Sequence, residues 1–324
     1  MSTSNTSSAS PSPTNALVTP ASPVPLTTWL RAIRAPSLTA TFAPSLATAL
    51  AGALLGWSIA PLRALSAALG VLIVQIGVNL MNDISDFARG IDAPGNLGGS
   101  GVLVDHSLTP ERLARAAWLS FGLGALLGLP ALLAEPSLLG VVALAALGAW
   151  GYSGGPGLKY RALGDLTVLA LCGPLLSVGF SLAAFGRADV TIAVLGFAFG
   201  LAAVGILHVN NFQDMEVDRA SGARTVALAL GAQGARVYLA TVYLLALSVW
   251  PVAALLAGFP LPAALVPLLA AIPITRLVTR LWRASRLPDG LCSPALALVR
   301  VDAAKAHLAL GALIAAGLAI SLAL

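Results

Sequence analysis

Residues 190–214 read VTIAVLGFAFGLAAVGILHVNNFQD. A run of about 20 apolar and small residues, enough at 1.5 Å per residue to cross a hydrocarbon core about 30 Å thick, ends abruptly in Asn210, Asn211, Gln213 and Asp214. Residues 61–86 are built the same way, closing on Asn82-Asp83-Ile84-Ser85-Asp86. A carboxylate at the centre of a bilayer helix costs about 2.5–3.5 kcal/mol on insertion scales, so acids gathered where spans end point to function.

The rest of the chain repeats the apolar theme. Of its 324 residues, 58% are hydrophobic and 10% charged, with a mean hydropathy of +0.90; soluble domains carry about 25% charged residues. Apolar stretches recur at 37–57, 61–81, 113–133, 137–152, 163–184, 190–212, 236–256, 260–281 and 302–323, nine in all. Their Ala, Leu and Gly content suits helices packed through small side chains, and the alternating segments of a transmembrane barrel are absent. The expected fold is all-α, a polytopic transmembrane bundle of about nine helices.

Charge gives the orientation. The connections after the first, third, fifth and seventh spans hold only Arg63 and Arg187 of 18 basic residues, leaving 18 − 2 = 16 in the N-terminal segment and the other loops. By the positive-inside rule these face the cytoplasm, so both acidic clusters open to that side. The net charge of +5 and pI near 9.8 belong to basic residues beside spans, where they meet anionic headgroups, and no nucleic-acid partner is expected. Residues 1–25, rich in Ser, Thr and Pro without Lys or Arg, read as a disordered cytoplasmic tail, and residues 26–324 as a single transmembrane domain. Leu26–Arg34 reads as a short amphipathic helix at the interface, and Thr109-Pro110 as the N-cap and first residue of the third span's helix. Cys172 and Cys292 lack metal-ligand spacing and read as packing residues, as do His106, His208 and His307 as hydrogen-bonded structural groups.

The chemistry lies in the polar loops. Asn82 and Asn210, and Asp86 and Asp214, are separated by the same offset (210 − 82 = 214 − 86 = 128), each pair ending an even-numbered span, which marks an internal repeat. Residues four apart share a helix face, so Asn82 with Asp86, and Asn210 with Asp214 and Asp218, form rows of hard oxygen ligands; Asp92 follows the first row. Such donors suit Mg²⁺ shared with substrate phosphates. A lone loop aspartate is more often a solvated charge paired with a neighbour such as Arg89, Arg219 or Arg224, but recurrence of Asn-x-x-x-Asp at two span ends on one side favours a ligand role. The fourth-to-fifth connection, Tyr152-Ser153-Gly154-Gly155-Pro156-Gly157-Leu158-Lys159-Tyr160-Arg161, adds Lys159 and Arg161 on the same side as permanent cations for a diphosphate.

These motifs resemble those of the UbiA superfamily of intramembrane aromatic prenyltransferases. Asn82-Asp83-x-x-Asp86 with Gly90 and Asp92, and Asn210-Asn211-Phe212-Gln213-Asp214-x-x-x-Asp218-Arg219, are similar to its two Asp-rich motifs. Leu158-Lys159-Tyr160-Arg161-x-Leu163-Gly164-Asp165, Gly222-x-Arg224-Thr225 and Leu230-Gly231 look most like the menaquinone-type branch. The resemblance runs from about Trp29 to the C-terminus. It implies helices around a central cavity with a cytoplasmic cap from the second-to-third and sixth-to-seventh connections, a bacterial-type plasma (inner) membrane, and Mg²⁺ held by Asn82, Asp86, Asp92, Asn210, Asp214 and Asp218. It implies a polyprenyl diphosphate donor bound by Lys159, Arg161, Arg224, Asn82 and Asn210, with Asp86, Asp214, Lys159 and Arg161 as the catalytic set, and 1,4-dihydroxy-2-naphthoate as aromatic acceptor. Where the naphthoate branch often has Gly-Pro-x-Arg, this chain has Gly98-Gly99-Ser100-Gly101-Val102-Leu103, and Asp86-Phe87 stands where 4-hydroxybenzoate enzymes usually carry Asp-Arg. Hydroxybenzoate, another phenol, a porphyrin or a lipid remain alternative acceptors; a membrane transporter is the competing class, disfavoured because the acids sit at span ends rather than at mid-membrane.

Overall fold

The computed structural model describes residues 24–92, 99–284 and 294–324; most of the proposed tail, part of the Gly-rich stretch including Gly98, and Cys292 lie outside the described residues. The helices are α1 (Leu26–Ala32), α2 (Thr39–Leu54), α3 (Pro61–Ala88), α4 (Pro110–Ala134), α5 (Leu138–Ser153), α6 (Gly164–Ala170), α7 (Leu176–Phe185), α8 (Val190–Gln213), α9 (Met215–Ala220), α10 (Val226–Leu256), α11 (Leu261–Leu265), α12 (Ala271–Arg283) and α13 (Pro294–Ala323). Among the described residues, eight helical stretches are long and apolar enough to cross a membrane, α6–α7 and α11–α12 each counting as one; α5, with 16 residues, is a further apolar helix of shorter reach. Among the described residues there is no strand, in keeping with an all-α bundle.

Local chemistry starts these helices where the spans begin. Thr109 Oγ1 accepts from Arg112 N (3.4 Å), Asp189 Oδ1 from Ile192 N (3.2 Å) and Thr225 Oγ1 from Leu228 N (3.3 Å), each satisfying a first-turn donor that has no partner within its helix. Several helices extend beyond their sequence-read limits, α13 for one beginning at Pro294 rather than 302. α3 continues past residue 81 to Ala88, so Asn82 and Asp86 project from regular helix. α10 begins at Val226 rather than 236, because Gly231 (φ 66°) kinks the segment without ending it. Between α6 and α7 a π-turn at Leu171–Leu175, containing Gly173 and Pro174, bends the span. A side chain on Gly173 would meet Gly196 O at 2.9 Å and Gly200 Cα at 3.0 Å, so only glycine allows this approach to α8.

The largest core joins α2, α8, α10, α12 and α13 around buried Phe199, Tyr243 and Trp250, with the Trp250 indole donating to Ala263 O (2.8 Å). A smaller cluster of Ala32, Leu80, Val102, Leu103, Leu108, Leu113 and Ala117 pins α1 and the 99–108 segment onto α3 and α4. Val102 and Leu103, singled out from the sequence beside the first motif, are therefore packing anchors, 0% and 3% exposed.

Candidate active site at the polar end of the bundle

The first cluster hangs from the last two turns of α3. Asn82, Asp83 and Asp86 are all buried, yet two different cations serve them. Lys159 Nζ donates to Asn82 Oδ1 (2.9 Å) and Asp86 Oδ2 (2.7 Å), while the Tyr160 hydroxyl donates to Asp86 Oδ1 (2.7 Å). Burial, then the neighbouring Asp86 charge, pushes the Tyr160 hydroxyl's pKa up, so it remains a neutral donor. Asp83 lies on another face of the helix and pairs with Arg34, whose backbone is left-handed (φ 53°) just before α2. The first motif thus divides its acids between the site and an interhelical tie.

The second cluster straddles the α8–α9 junction. Asp214 leaves helical geometry as the cap between the two helices, but Asp214 N still bonds Asn210 O (3.0 Å) and Asp218 N bonds Asp214 O (2.8 Å). The predicted row of Asn210, Asp214 and Asp218 therefore survives the junction. Asn210 Oδ1 and Asp214 Oδ1 are buried without a hydrogen-bond partner. Burial, reinforced by the Asp218 charge, raises the Asp214 carboxyl to about 8; burial first in each case also raises Asp92 and Asp218 to about 6. Asp214 senses the charges of Asp92, Lys159 and Arg300, and Asp218 those of Lys159 and Asp86, so the two clusters share one electrostatic site with Lys159 between them.

The loops carrying this machinery are tied through their backbones. Arg224 N donates to Tyr160 O (2.9 Å) and Ala162 N to Arg224 O (2.7 Å). Arg161 and Arg224 are exposed on these paired loops rather than inserted between the acids. Arg89 stacks over the Tyr160 ring at 4.4 Å and Arg219 pairs with Glu216 (2.6 Å), so neither neutralises a site aspartate. His208 Nε2 donates to Ala235 O (2.9 Å), with Nδ1 3.8 Å from Asp165 Oδ2, a buried tie between α8, α10 and α6.

Three residues were missed by the sequence reading. Tyr160 sits beside Lys159, and its hydroxyl was a readable signal. Arg34 reads from sequence as part of an interfacial helix, and Arg300, on α13, is distant in sequence from Asp214, on which its charge acts.

The site suits a hard cation in its donor chemistry. Its oxygens are carboxylate and amide, two are buried without a partner, and burial foremost raises the carboxyls of Asp214 and Asp218, so their ionised forms are poorly solvated there. Among the described residues no three His, Cys, Asp or Glu side chains converge on one point. A divalent ion here would therefore complete its shell with amide, water or substrate oxygens, as Mg²⁺ commonly does.

Apolar spans meeting at a buried acid–amide site bridged by lysine define a helical membrane protein with a polar centre whose oxygens suit a hard cation. The chain matches the UbiA prenyltransferase family across residues 45–291 and belongs to that family. UbiA prenyltransferase domain-containing protein 1 of Xenopus tropicalis is 34% identical over 209 residues, covering 63% of this chain and 60% of that protein. The 1,4-dihydroxy-2-naphthoate octaprenyltransferase of Bacillus subtilis is 27% identical over 195 residues, 58% of this chain and 61% of that protein. The chain spans less than two thirds of these relatives' own length. A UbiA homologue from Archaeoglobus fulgidus, solved with GPP and Mg²⁺, shares the fold at a TM-score of 0.58 and 17% identity, covering 89% of this chain and 99% of the other.

Proposed function

We propose that this protein is an Mg²⁺-dependent membrane prenyltransferase that moves a polyprenyl group from its diphosphate to an aromatic acceptor of the 1,4-dihydroxy-2-naphthoate type. The observation carrying this reading is the pair of buried Asn/Asp clusters, with Lys159 held by Asn82 and Asp86 of the first and felt by Asp218 of the second, where Asn210 and Asp214 carry partnerless buried oxygens. The names of the relatives support it: one acts on dihydroxynaphthoate, and the Archaeoglobus homologue binds GPP and Mg²⁺. Asn82, Asp86, Asp92, Asn210, Asp214 and Asp218 would hold the metal, whose chemistry is to neutralise charge growing on the leaving diphosphate.

The chain's own residues do the rest. Lys159 exchanges its hold on Asp86 for a diphosphate oxygen, while the guanidinium groups of Arg161 and Arg224 draw the anion to the mouth of the site. Tyr160, its hydroxyl on Asp86, keeps that carboxylate oriented as Lys159 moves. The allylic C–O bond then ionises with its electron pair leaving on the diphosphate, the ring carbon attacks the allylic carbon, and the ring proton passes to the departing diphosphate or to water. The prenyl tail lies among apolar helices, which keep water from capturing the cation. We assign the N-terminus and the site to the cytoplasmic face of a bacterial-type plasma membrane, and residues 26–324 to one domain, on the distribution of basic residues and the continuous helical packing.

The decisive assay is mass spectrometry of the product formed by the full chain from one polyprenyl diphosphate and a pool of aromatic acceptors, with Mg²⁺ or EDTA. Prenylated naphthoate formed only with Mg²⁺ and lost in Asp86→Ala and Asp214→Ala supports the assignment; wild-type turnover in either variant sinks it. A product on another ring retains the donor chemistry and replaces the acceptor.

A further inference from the structure

We infer that the outer face of α12 is a binding site for the phosphate headgroup of an anionic membrane lipid, separate from the candidate active site. Arg276, Arg280 and Arg283 stand at i, i+4 and i+7 on one exposed helix face and line an open cavity of about 670 Å³ together with Thr275 and Thr279. Ile274, Leu277 and Leu281 occupy the opposite face and are buried. The helix is therefore divided between a packed apolar stripe and a cationic one.

Three ordinary roles for these arginines are already filled or fail. Arg280 pairs with Asp302, but Asp302 is the acid that an ion pair joins to this face, leaving a local excess of positive charge. The C-terminal carbonyls of α12 are capped from α10, where Arg236 donates to Leu281 O (3.2 Å) and Ala284 O (3.0 Å), so the α12 arginines are not needed as caps. Nor do all three sit at the helix end: Arg276 is seven residues before Arg283, about 10 Å deeper along the axis of an apolar span. A cation exposed at that depth favours an anion brought to it.

The surroundings match a lipid rather than a soluble anion. Ile272 and Trp282 are 56% and 46% exposed beside the cationic stripe, offering apolar contact for acyl chains and an aromatic ring at the interface. Guanidinium forks and threonine hydroxyls provide the donors that phosphodiester oxygens accept. Basic pockets between membrane helices bind anionic headgroups by the same combination. Arg236 also lies over the Phe212 ring at 5.2 Å, which puts this cavity at the same end of the bundle as the Asn/Asp clusters.

Native mass spectrometry of the full chain, released from a neutral detergent after exposure to equal phosphatidylglycerol and phosphatidylcholine, tests the site. The expected result is preferential retention of phosphatidylglycerol, weakened about 5-fold for each arginine removed, hence roughly 25-fold in Arg276→Gln/Arg283→Gln. Arg112→Gln/Arg115→Gln, which removes two exposed arginines of α4, serves as the control and retains the wild-type preference. Unchanged unfolding temperature in neutral detergent shows that the α12 variant is folded. The proposal is overturned by equal retention of the two lipids, by equal losses in both double variants, or by 10 mM inorganic phosphate (about 10 mM being typical of buffers) displacing the lipid, which identifies a free-phosphate site.

Discussion

Replacing Asp214 by asparagine separates stability from turnover. The carboxyl is raised from 3.8 to about 8, chiefly by burial and then by the Asp218 charge, and its Oδ1 has no hydrogen-bond partner. An unfolded chain ionises this group near 3.8, whereas the folded, metal-free protein keeps it protonated to about 8. The fold therefore binds the extra proton, and its stability is full below the lower value and falls as pH rises through the higher. At 1.36 kcal/mol per pH unit the loss has a ceiling of ~6 kcal/mol; an effective dielectric near ~20 lowers the expectation to ~2 kcal/mol. Asparagine keeps the shape without the charge. In EDTA, Asp214→Asn should match wild type at pH 5 to within a few degrees and unfold about 4–8 °C higher at pH 8.5, while prenyl transfer in Mg²⁺ falls by roughly 100-fold. Thermal unfolding in detergent at both pH values, paired with product formation, measures the two effects. A variant that unfolds below wild type at pH 8.5 without metal, or that turns over normally, refutes the reasoning.

Other outcomes follow from the same geometry. Metal ligands must be deprotonated, so the apparent Mg²⁺ affinity, read from titrated activity, should strengthen from pH 6 to pH 8 as Asp92 and Asp218 (about 6) and then Asp214 (about 8) lose their protons; a pH-independent affinity contradicts this. Arg34→Ala strands the buried Asp83 charge and should cost ~3 kcal/mol in unfolding measurements, with Arg34→Lys recovering part of it. Gly205→Ala drives a methyl to 2.5 Å from Cζ of the fully buried Tyr243 ring, and should lower stability by about 1–3 kcal/mol in the same assay.

Helix number and the position of the polar site could be read from sequence because burial in lipid leaves an unambiguous apolar record. The limits of α3 could not: hydropathy falls at Asn82, but the hydrogen-bonded helix continues to Ala88 with its polar side chains facing inward. The two rows of oxygens were visible from their four-residue spacing, whereas their division of labour was not. Asp83 and Asp86 are three residues apart, and only the fold brings Arg34, 49 residues before Asp83, to one and Lys159, 73 residues beyond Asp86, to the other. Arg161 differs from its neighbour Lys159 in a way spacing does not reveal: it is exposed, on the turn whose backbone pairs with Arg224, whereas Lys159 reaches Asn82 and Asp86.

That pairing has a kinetic consequence. Because Arg224 both donates to and accepts from the 160–162 turn, the loop before α6 and the loop before α10 are hinged as one leaf. Motion of either loop draws the other with it unless two backbone hydrogen bonds break. If the proposed donor enters past these loops, they should move together, and spectroscopic labels on the two loops should report a single shared exchange rate.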